Sequence, residues 1–209
     1  MIRLLDLTIA ILGMVLFFPF LLLFALLIVT DSWGPVFYLQ KRVGRGGQDF
    51  TLYKFRTMRS DADKNGLLTI GANDSRITKF GLFLRRYKID EVPQLINVFK
   101  GDMSLVGPRP EVRRYVDHYS EEQKKILLVR PGVTDMASIF YKDENELLNQ
   151  ASDPDSLYIK EILPHKISLN QFYIENPSLK NYFYIIYLTL RKVISGSGGK
   201  DTSREPTIR

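Results

Sequence analysis

The chain has 209 residues, of which 45% are hydrophobic and 25% charged, so it is long enough for one folded domain with a further segment attached. It contains no cysteine, which excludes disulfides and thiolate metal sites, and its two histidines, His118 and His165, argue against a zinc centre. The net charge of +6 predicts an acidic partner, and composition leaves nucleic acid, anionic lipid and a phosphorylated substrate open.

Residues 7–30 form an uncharged, strongly apolar run, which has the length of a membrane-spanning helix. A cleaved signal peptide fits poorly, because no small-residue cleavage site follows and residues 31–35 are typical of a turn. Pro19 lies at the centre of the run, where it removes a backbone donor and predicts a kink. Hydropathy favours a straight span. The halves of the run on either side of Pro19 are each about 16–18 Å long, however, so a re-entrant hairpin is also possible. The basic residues between 41 and 59 predict that the bulk of the protein is cytoplasmic.

Residues 36–58 predict a β-hairpin, with extended arms at 36–39 and 50–56 and a glycine-rich turn at 44–47. Lys54 and Arg56 fall on the same face at strand spacing, and we predict that they bind phosphate. The alternative is a juxtamembrane basic patch that is attracted to anionic lipid.

The rest of the chain is mainly helical in pattern. A basic amphipathic helix at 76–87 suits either a membrane interface or packing on the core. A short helix is predicted to begin at an Asp90 cap and to end at Gly101. The further expectations are a mobile loop at 61–74, a helix at 120–129 opened by a capping box, a strand at 133–141, helices at 144–150, 154–163 and 166–175, an interfacial helix at 178–194 and a disordered tail.

Asp90 and Glu91 are adjacent carboxylates that follow the basic residues Arg85, Arg86 and Lys88. The structural explanation is a helix cap and a first-turn acid, both favoured by the helix dipole. Cationic surroundings would instead favour two ionised carboxylates, and an acid pair without histidine or cysteine suits Mg²⁺. Since a phosphate-binding element follows directly, we predict that this pair is catalytic and holds the metal.

That element is the tetrapeptide at 107–110, in which Arg109 stands between Pro108 and Pro110. Proline fixes its own backbone and restricts the residue before it, so the arginine is constrained from both sides. A guanidinium held in this way can bind a phosphate bidentately with little loss of entropy. The alternative is a rigid surface turn with a solvated arginine.

Four motifs together resemble the bacterial sugar transferase family: 53–58 (YKFRTM), 90–97 (DEVPQLIN), 101–110 (GDMSLVGPRP) and 130–134 (RPGVT). The resemblance covers residues 3–194. It implies a monotopic phosphoglycosyl transferase that moves a sugar phosphate from a nucleotide-diphosphate sugar, usually a UDP-sugar, to polyprenyl phosphate and releases UMP. It also implies that the membrane segment is re-entrant and kinked at its proline, against the preference from hydropathy.

The resemblance also assigns roles to residues. Asp90 is the nucleophile that takes the phosphosugar as an acyl phosphate, and Glu91 assists in metal binding or proton transfer, with Mg²⁺ as the cofactor. The expected phosphate ligands are Arg109, Lys54, Arg56 and Arg86. The expected supporting residues are Asp102, Pro108, Pro110 and Glu175, and Pro19 is the expected break in the membrane helix.

The expected architecture is therefore a mostly helical α+β fold, with a re-entrant helix-break-helix, a small β-hairpin and interfacial amphipathic helices around a compact catalytic core. Its expected regions are a membrane hairpin (1–34), a cytoplasmic catalytic domain (35–195) and a disordered tail (196–209). The expected location is the bacterial inner membrane, with the catalytic domain on the cytoplasmic face. The expected partners are a UDP-sugar, polyprenyl phosphate and membrane lipids without nucleic acid, and a homo-oligomer is left open.

The sequence departs from the family pattern in three places. Phe18 precedes the hairpin proline where many members have serine, which could bond a freed carbonyl. Residues 135–142 (DMASIFYK) replace Gly-Trp-Ala-Gln-Val-Asn-Gly-Arg, and we interpret this stretch as a different sugar or nucleotide pocket. Glu175 replaces an aspartate, which keeps the carboxylate and lengthens it.

Two other functions compete with transfer to a lipid. A membrane phosphodiesterase or hydrolase would use water as the acceptor, and its product release would not depend on added polyprenyl phosphate. A non-catalytic module that binds anionic lipid or nucleic acid through the basic hairpin would bind in a salt-sensitive manner, even without Asp90 and Glu91.

Overall fold

The computed structural model describes residues 1–60, 74–141 and 144–194, and the fold is mostly helical with two small sheets. The helices are α1 (Ile2–Asp31), α2 (Lys79–Arg86), α3 (Gln94–Lys100), α4 (Arg113–Val116), α5 (Met136–Phe140), α6 (Glu144–Gln150), α7 (Pro154–Leu157), α8 (Leu163–Glu175) and α9 (Leu179–Ile194). The strands are β1 (Phe37–Val43), β2 (Asp49–Phe55), β3 (Ser104–Val106) and β4 (Gly132–Thr134). The expected mostly helical α+β class is confirmed.

Helix α1 is long and apolar enough to cross a membrane, and only 6% of its most apolar window is buried in the protein. Its helical backbone continues through Pro19, so the expected break does not divide it into two helices. Large apolar side chains project from its middle, with Leu12, Val15 and Leu16 each more than 60% exposed. The helix therefore carries an apolar surface that the folded domain does not cover.

The first turns of α1 are attached to the domain by polar contacts. Arg3 donates to the carbonyls of Val98 and Phe99 at the end of α3. Asp6 is 2% exposed, and it accepts hydrogen bonds from the Ser104 hydroxyl, the Leu105 backbone and the Tyr182 hydroxyl. Because an unpaired buried carboxylate would be costly, these three donors connect α1 firmly to β3 and α9.

The last turn of α1 is attached to the same domain. Arg56 donates to the carbonyls of Ser32 and Trp33, where a helix C-terminus leaves unpaired acceptors and negative partial charge. Ile28 is buried with Phe55 and Leu84 in an apolar cluster beside this contact.

The predicted β-hairpin is confirmed. β1 and β2 pair antiparallel from Phe37 opposite Phe55 to Val43 opposite Asp49, and a 3₁₀ turn at Arg45–Gly47 joins them. Predicted helices at 76–87, 144–150 and 178–194 correspond to α2, α6 and α9, and the capping box is present as reciprocal bonds between Ser120 and Gln123.

The second sheet is a parallel pair that joins distant segments, with Ser104 opposite Gly132 and Val106 opposite Thr134. The two backbones lie so close that a Cβ on Gly132 would be 2.1 Å from the nitrogen of Gly107. A side chain at either glycine would separate β3 from β4, and the tetrapeptide at 107–110 leaves the sheet at this point.

One predicted strand is wrong, and two predicted helices are joined into one. Residues 133–141 are not one strand, because β4 ends at Thr134 and the Asp135 side chain caps α5 by accepting from the Ser138 backbone. The helices expected at 154–163 and 166–175 form one helical run, in which a π-helical turn (Tyr158–Ile162) connects α7 to α8. The loop predicted at 61–74 lies, except for Asp74, outside the described residues, as does the tail at 196–209.

Candidate active site

Asp90 and Glu91 lie in a 3₁₀ turn (Ile89–Glu91) at the entrance to α3, and they are 8% and 9% exposed. The predicted cap at Asp90 is wrong, because α3 begins only at Gln94 and Pro93 occupies the cap position. Lys88 precedes the turn with φ 57°, a left-handed backbone that is rare outside glycine. Such strain is typical of functional sites, where the surrounding fold holds a conformation that local preference disfavours.

Glu91 is the carboxylate that receives the cations. Arg109 donates to both of its oxygens, with Nη1 3.2 Å from Oε2 and Nη2 bonded to Oε1. Lys54 donates to Oε1 at 3.1 Å. The structure therefore brings together three of the predicted site residues, one each from β2, the 3₁₀ turn and the tetrapeptide, and Asp90 adjoins them as the neighbour of Glu91 in sequence.

The pKa values of the two carboxylates shift in opposite directions. Burial raises the pKa of Asp90 and the charge of Glu91 raises it further, while Lys54, Lys88 and Arg85 offset only part of this effect. Burial also raises the pKa of Glu91, but Arg109 and Lys54 outweigh it and hold that pKa well below its usual range. The basic surroundings therefore act mainly on Glu91, and at Asp90 they offset only part of the effect of burial.

Asp90 has an oxygen without a partner. Its Oδ1 is buried and accepts no hydrogen bond, and the buried Nε2 of Gln94 on the first turn of α3 donates none. Buried polar atoms are nearly always paired in folded proteins, so these two indicate a place for a group that the protein alone does not supply.

The backbone around Arg109 is held by neighbouring elements. Asp135 accepts from the Arg109 backbone nitrogen at 3.0 Å, and also from the Asn170 amide on α8. Arg42 on β1 donates to the carbonyl of Pro110 at 3.0 Å. Because Pro108 and Pro110 also flank it, the arginine presents its guanidinium to Glu91 from a fixed backbone.

Comparison with known proteins places the chain in a family. The family model described as bacterial sugar transferase matches residues 1–196. The chain belongs to the bacterial sugar transferase family. An Aeromonas hydrophila relative, named UDP-N-acetylgalactosamine-undecaprenyl-phosphate N-acetylgalactosaminephosphotransferase, is 38% identical over 198 residues, which cover 93% of this chain and 44% of the relative.

Two Bacillus subtilis proteins are also similar. The uncharacterized sugar transferase EpsL is 38% identical over 184 residues, which cover 88% of this chain and 82% of EpsL. A putative undecaprenyl-phosphate N-acetylgalactosaminyl 1-phosphate transferase is 44% identical over 120 residues, which cover 57% of this chain and 67% of that protein. The chain spans less than half the length of the Aeromonas relative.

Several residues that the family pattern suggested lie away from the acid pair in this protein. Arg56 holds the end of α1, as described above, and Arg86 is exposed with its guanidinium 5.8 Å from the centre of the Tyr87 ring. Asp102 accepts from the Asn97 amide and so supports the end of α3. Glu175 is exposed at the end of α8, and its supporting role stays a prediction, as do the phosphate-binding roles of the two arginines.

Arg85 is a site residue that sequence reasoning missed. It is half-buried, donates from Nε to the Thr57 hydroxyl at 2.8 Å, and its charge acts on Asp90. Its neighbour Arg86 was chosen instead, although the two point to different faces of α2. The apolar spacing of α2 could have separated them, since Leu84 is buried and Arg85 follows it on the side that faces the 3₁₀ turn. Arg42 was missed, and Asp135 was named only within the pocket interpretation of residues 135–142, because only the tertiary fold brings these two side chains to the tetrapeptide.

The acid pair offers carboxylate oxygens as ligands for a metal ion. Within 1–60, 74–141 and 144–194, no group of three or more acidic or histidine side chains could hold one. Mg²⁺ commonly uses one or two carboxylates and takes its remaining ligands from substrate phosphates and water. Since both oxygens of Glu91 carry cations and Oδ1 of Asp90 carries none, the residues fit a metal held mainly by Asp90 together with phosphate oxygens.

Proposed function

We propose that this protein transfers a sugar 1-phosphate from a UDP-sugar to a polyprenyl phosphate through a covalent intermediate on Asp90. The observation that carries the proposal is the arrangement of the acid pair, in which Glu91 holds two cations and a buried oxygen of Asp90 stays open. The names of the relatives support undecaprenyl phosphate as the acceptor. By the same proposal the reaction begins the assembly of a glycan on its lipid carrier.

In the first displacement, Asp90 attacks the phosphorus that carries the sugar. A bond forms between the carboxylate oxygen and phosphorus, and the bond to the bridging oxygen breaks, so that UMP leaves with the electron pair. Asp90 must be ionised for this attack, and its raised pKa makes it a stronger nucleophile once it is ionised. Arg109 and Lys54 stand beside it to balance the negative charge of the diphosphate.

In the second displacement, an oxygen of the polyprenyl phosphate attacks the same phosphorus. The bond to Asp90 breaks and its electrons return to the carboxylate, which regenerates the enzyme and yields a polyprenyl diphosphate sugar. A covalent intermediate separates the two anionic substrates in time, so a water-soluble donor and a lipid acceptor need not occupy the site together. Mg²⁺, which Asp90 would hold together with phosphate oxygens, would supply neutralisation of phosphate charge.

The contacts of α1 support a membrane segment that enters and leaves through one face. Arg3 and Asp6 near its start, and Ile28 near its end, contact the same domain. A straight span would place its two ends on opposite sides of a hydrocarbon core of about 30 Å. The catalytic domain then lies on the cytoplasmic face of the inner membrane, as the basic residues that follow α1 suggest.

Cysteine labelling tests this topology, since the chain has no native cysteine. Leu4→Cys and Trp33→Cys introduce thiols at positions that are 70% and 90% exposed. We expect both to react with an impermeant reagent in inside-out membrane vesicles and neither in intact spheroplasts. Labelling of the two positions from opposite sides would refute the re-entrant arrangement.

UMP release tests the activity. The purified protein in lipid nanodiscs would be incubated with Mg²⁺ and a panel of UDP-sugars, with and without undecaprenyl phosphate. We expect multiple turnovers only with the lipid, loss of turnover with EDTA and its return with added Mg²⁺. Release at the wild-type rate by Asp90→Asn would refute the mechanism, and turnover without the lipid would indicate a hydrolase.

A further inference from the structure

Two buried polar atoms at the entrance of α3 have no partner, Oδ1 of Asp90 and Nε2 of Gln94. Gln94 is 1% exposed, so water does not reach its side chain freely. The other unpartnered side-chain atom in the part of the chain that the structure describes, Oγ of Ser138, lies on α5. Two such atoms within one helical turn indicate one missing group.

The backbone places the two side chains on the same face. Val92 and Pro93 have helical dihedral angles, so the helical path runs from the 3₁₀ turn into α3 without a break. Asp90 and Gln94 are then four residues apart, a spacing that brings side chains together on one side of a helix. They do not bond to each other, since neither atom has a partner, and a third group is needed to satisfy both.

The chemistry of the amide restricts what this group is. An amide nitrogen only donates hydrogen bonds, so a metal ion could satisfy Asp90 but not Gln94. A phosphoryl group fits both, because it offers phosphorus to an attacking carboxylate and non-bridging oxygens to a donor.

We propose that Gln94 binds a non-bridging oxygen of the phosphoryl group that Asp90 attacks, which makes it a further catalytic residue. This inference rests on the proposed function and identifies a residue of the same site. A neutral donor suits this position, because a further cation would pair with Asp90 and occupy the attacking oxygen. Such a donor stabilises the charge that develops on phosphoryl oxygens during displacement.

A second buried amide on the same helix provides the comparison. Asn97 is fully buried, and its amide makes three bonds: it accepts from the Tyr53 backbone at 3.0 Å and donates to the Thr51 carbonyl at 2.7 Å and to Asp102 at 3.1 Å. Asn97 therefore has the contacts of a structural amide, whereas the side chain of Gln94 makes no described hydrogen bond.

Methionine substitutions at the two positions separate the roles. Gln94→Met removes an amide that the resting protein leaves unpaired, so we expect an unfolding temperature equal to or above that of the wild type. We expect it to lower the rate of UMP release about 100-fold, as loss of one oxyanion donor does. Asn97→Met breaks three bonds, and we expect a lower unfolding temperature. Gln94→Glu keeps the shape but replaces the donor by an acceptor, and its UMP release should be slower still.

A second readout follows the covalent step. With UDP-N-acetylgalactosamine and no acceptor, mass spectrometry should detect the phosphosugar adduct on the wild-type protein, and Gln94→Met should form it about 100-fold more slowly. An unchanged rate of adduct formation would overturn the inference, because the Gln94 amide would then contribute nothing to the step in which Asp90 attacks phosphorus. A fall in unfolding temperature as large as that of Asn97→Met would overturn it as well.

UMP release by Asp90→Asn shows whether a negative result refutes only the role of Gln94 or the proposed function as well. If that variant releases UMP at the wild-type rate, the aspartyl mechanism fails and the inference about Gln94 fails with it. If Asp90→Asn is inactive while Gln94→Met matches the wild type, only the inference fails.

Discussion

Glu91→Gln tests whether the acid pair owes its arrangement to buried charge. In the protein, Glu91 holds Arg109 through two bonds and Lys54 through a third. Its side chain is 11% exposed, and those of Arg109 and Lys54 are 26% and 16% exposed. Glutamine keeps the shape and one acceptor but removes the charge, so two cations would face each other with little access to water.

The expected loss of stability is substantial. Removing one partner of a buried ion pair costs about 3–5 kcal/mol, because the remaining charge stays in a poorly solvated place. The amide oxygen retains one bond, so we expect a value near the lower end, about 3 kcal/mol. For a protein of this size that corresponds to a fall in unfolding temperature of roughly 6–12 °C.

Thermal unfolding in nanodiscs, followed by circular dichroism, measures this change. Asp49→Asn is the control, since it removes an ion pair with Arg113 whose side chains are 45% and 48% exposed, and it should cost less than about 1 kcal/mol. Adding Lys54→Met to Glu91→Gln removes one of the two facing cations and should restore part of the loss. If Glu91→Gln unfolds at the temperature of Asp49→Asn, burial is not what gives the pair its strength.

Three further substitutions test the supporting structure. Arg56→Met should lower the unfolding temperature by several degrees by releasing the end of α1, whereas Arg59→Met, at an exposed position, should not. Gly132→Ala should abolish UMP release, because its Cβ would lie 2.1 Å from the backbone nitrogen of Gly107, directly after the facing strand. Gly46→Ala, which has open space but φ +68°, should cost about 1 kcal/mol and leave the activity unchanged. Asp135→Ala leaves three donors without an acceptor, and we expect it to reduce both UMP release and unfolding temperature, by about 3 kcal/mol of stability.

Local signals in the sequence predicted local structure well. The hairpin follows from alternating residues around a glycine-rich turn, and Gly101 ends α3 in a left-handed conformation, with φ 93°, as a glycine at that position indicates. The strand expected at 133–141 failed because the side chain of Asp135 caps a helix there, and β-branched or aromatic composition does not reveal this. Strand propensity and helix capping favour different structures in this segment, and the cap at Asp135 outweighs the propensity.

The sequence predicted which residues form the candidate site, but not which of them form ion pairs with each other. The sequence analysis named Asp90, Glu91, Lys54 and Arg109, but it expected the basic residues to favour ionisation of both carboxylates alike. The fold directs two of them to Glu91, and the difference depends on which oxygens a 3₁₀ turn presents to β2 and to the tetrapeptide. The contact of Asp135 with the Arg109 backbone could not be predicted either, because it joins segments that are brought together only by the pairing of β3 with β4.

The unequal treatment of two neighbouring carboxylates has a chemical consequence. Had Arg109 and Lys54 paired with Asp90, its pKa would fall and its oxygens would carry hydrogen bonds, which makes a weaker nucleophile. With Glu91 as their partner, the cations stay beside the place of reaction while an oxygen of Asp90 stays open. Under the proposed function, an arriving diphosphate would compete with Glu91 for the Arg109 guanidinium. The two cations would then be paired before the donor enters and would turn towards its phosphates as it binds.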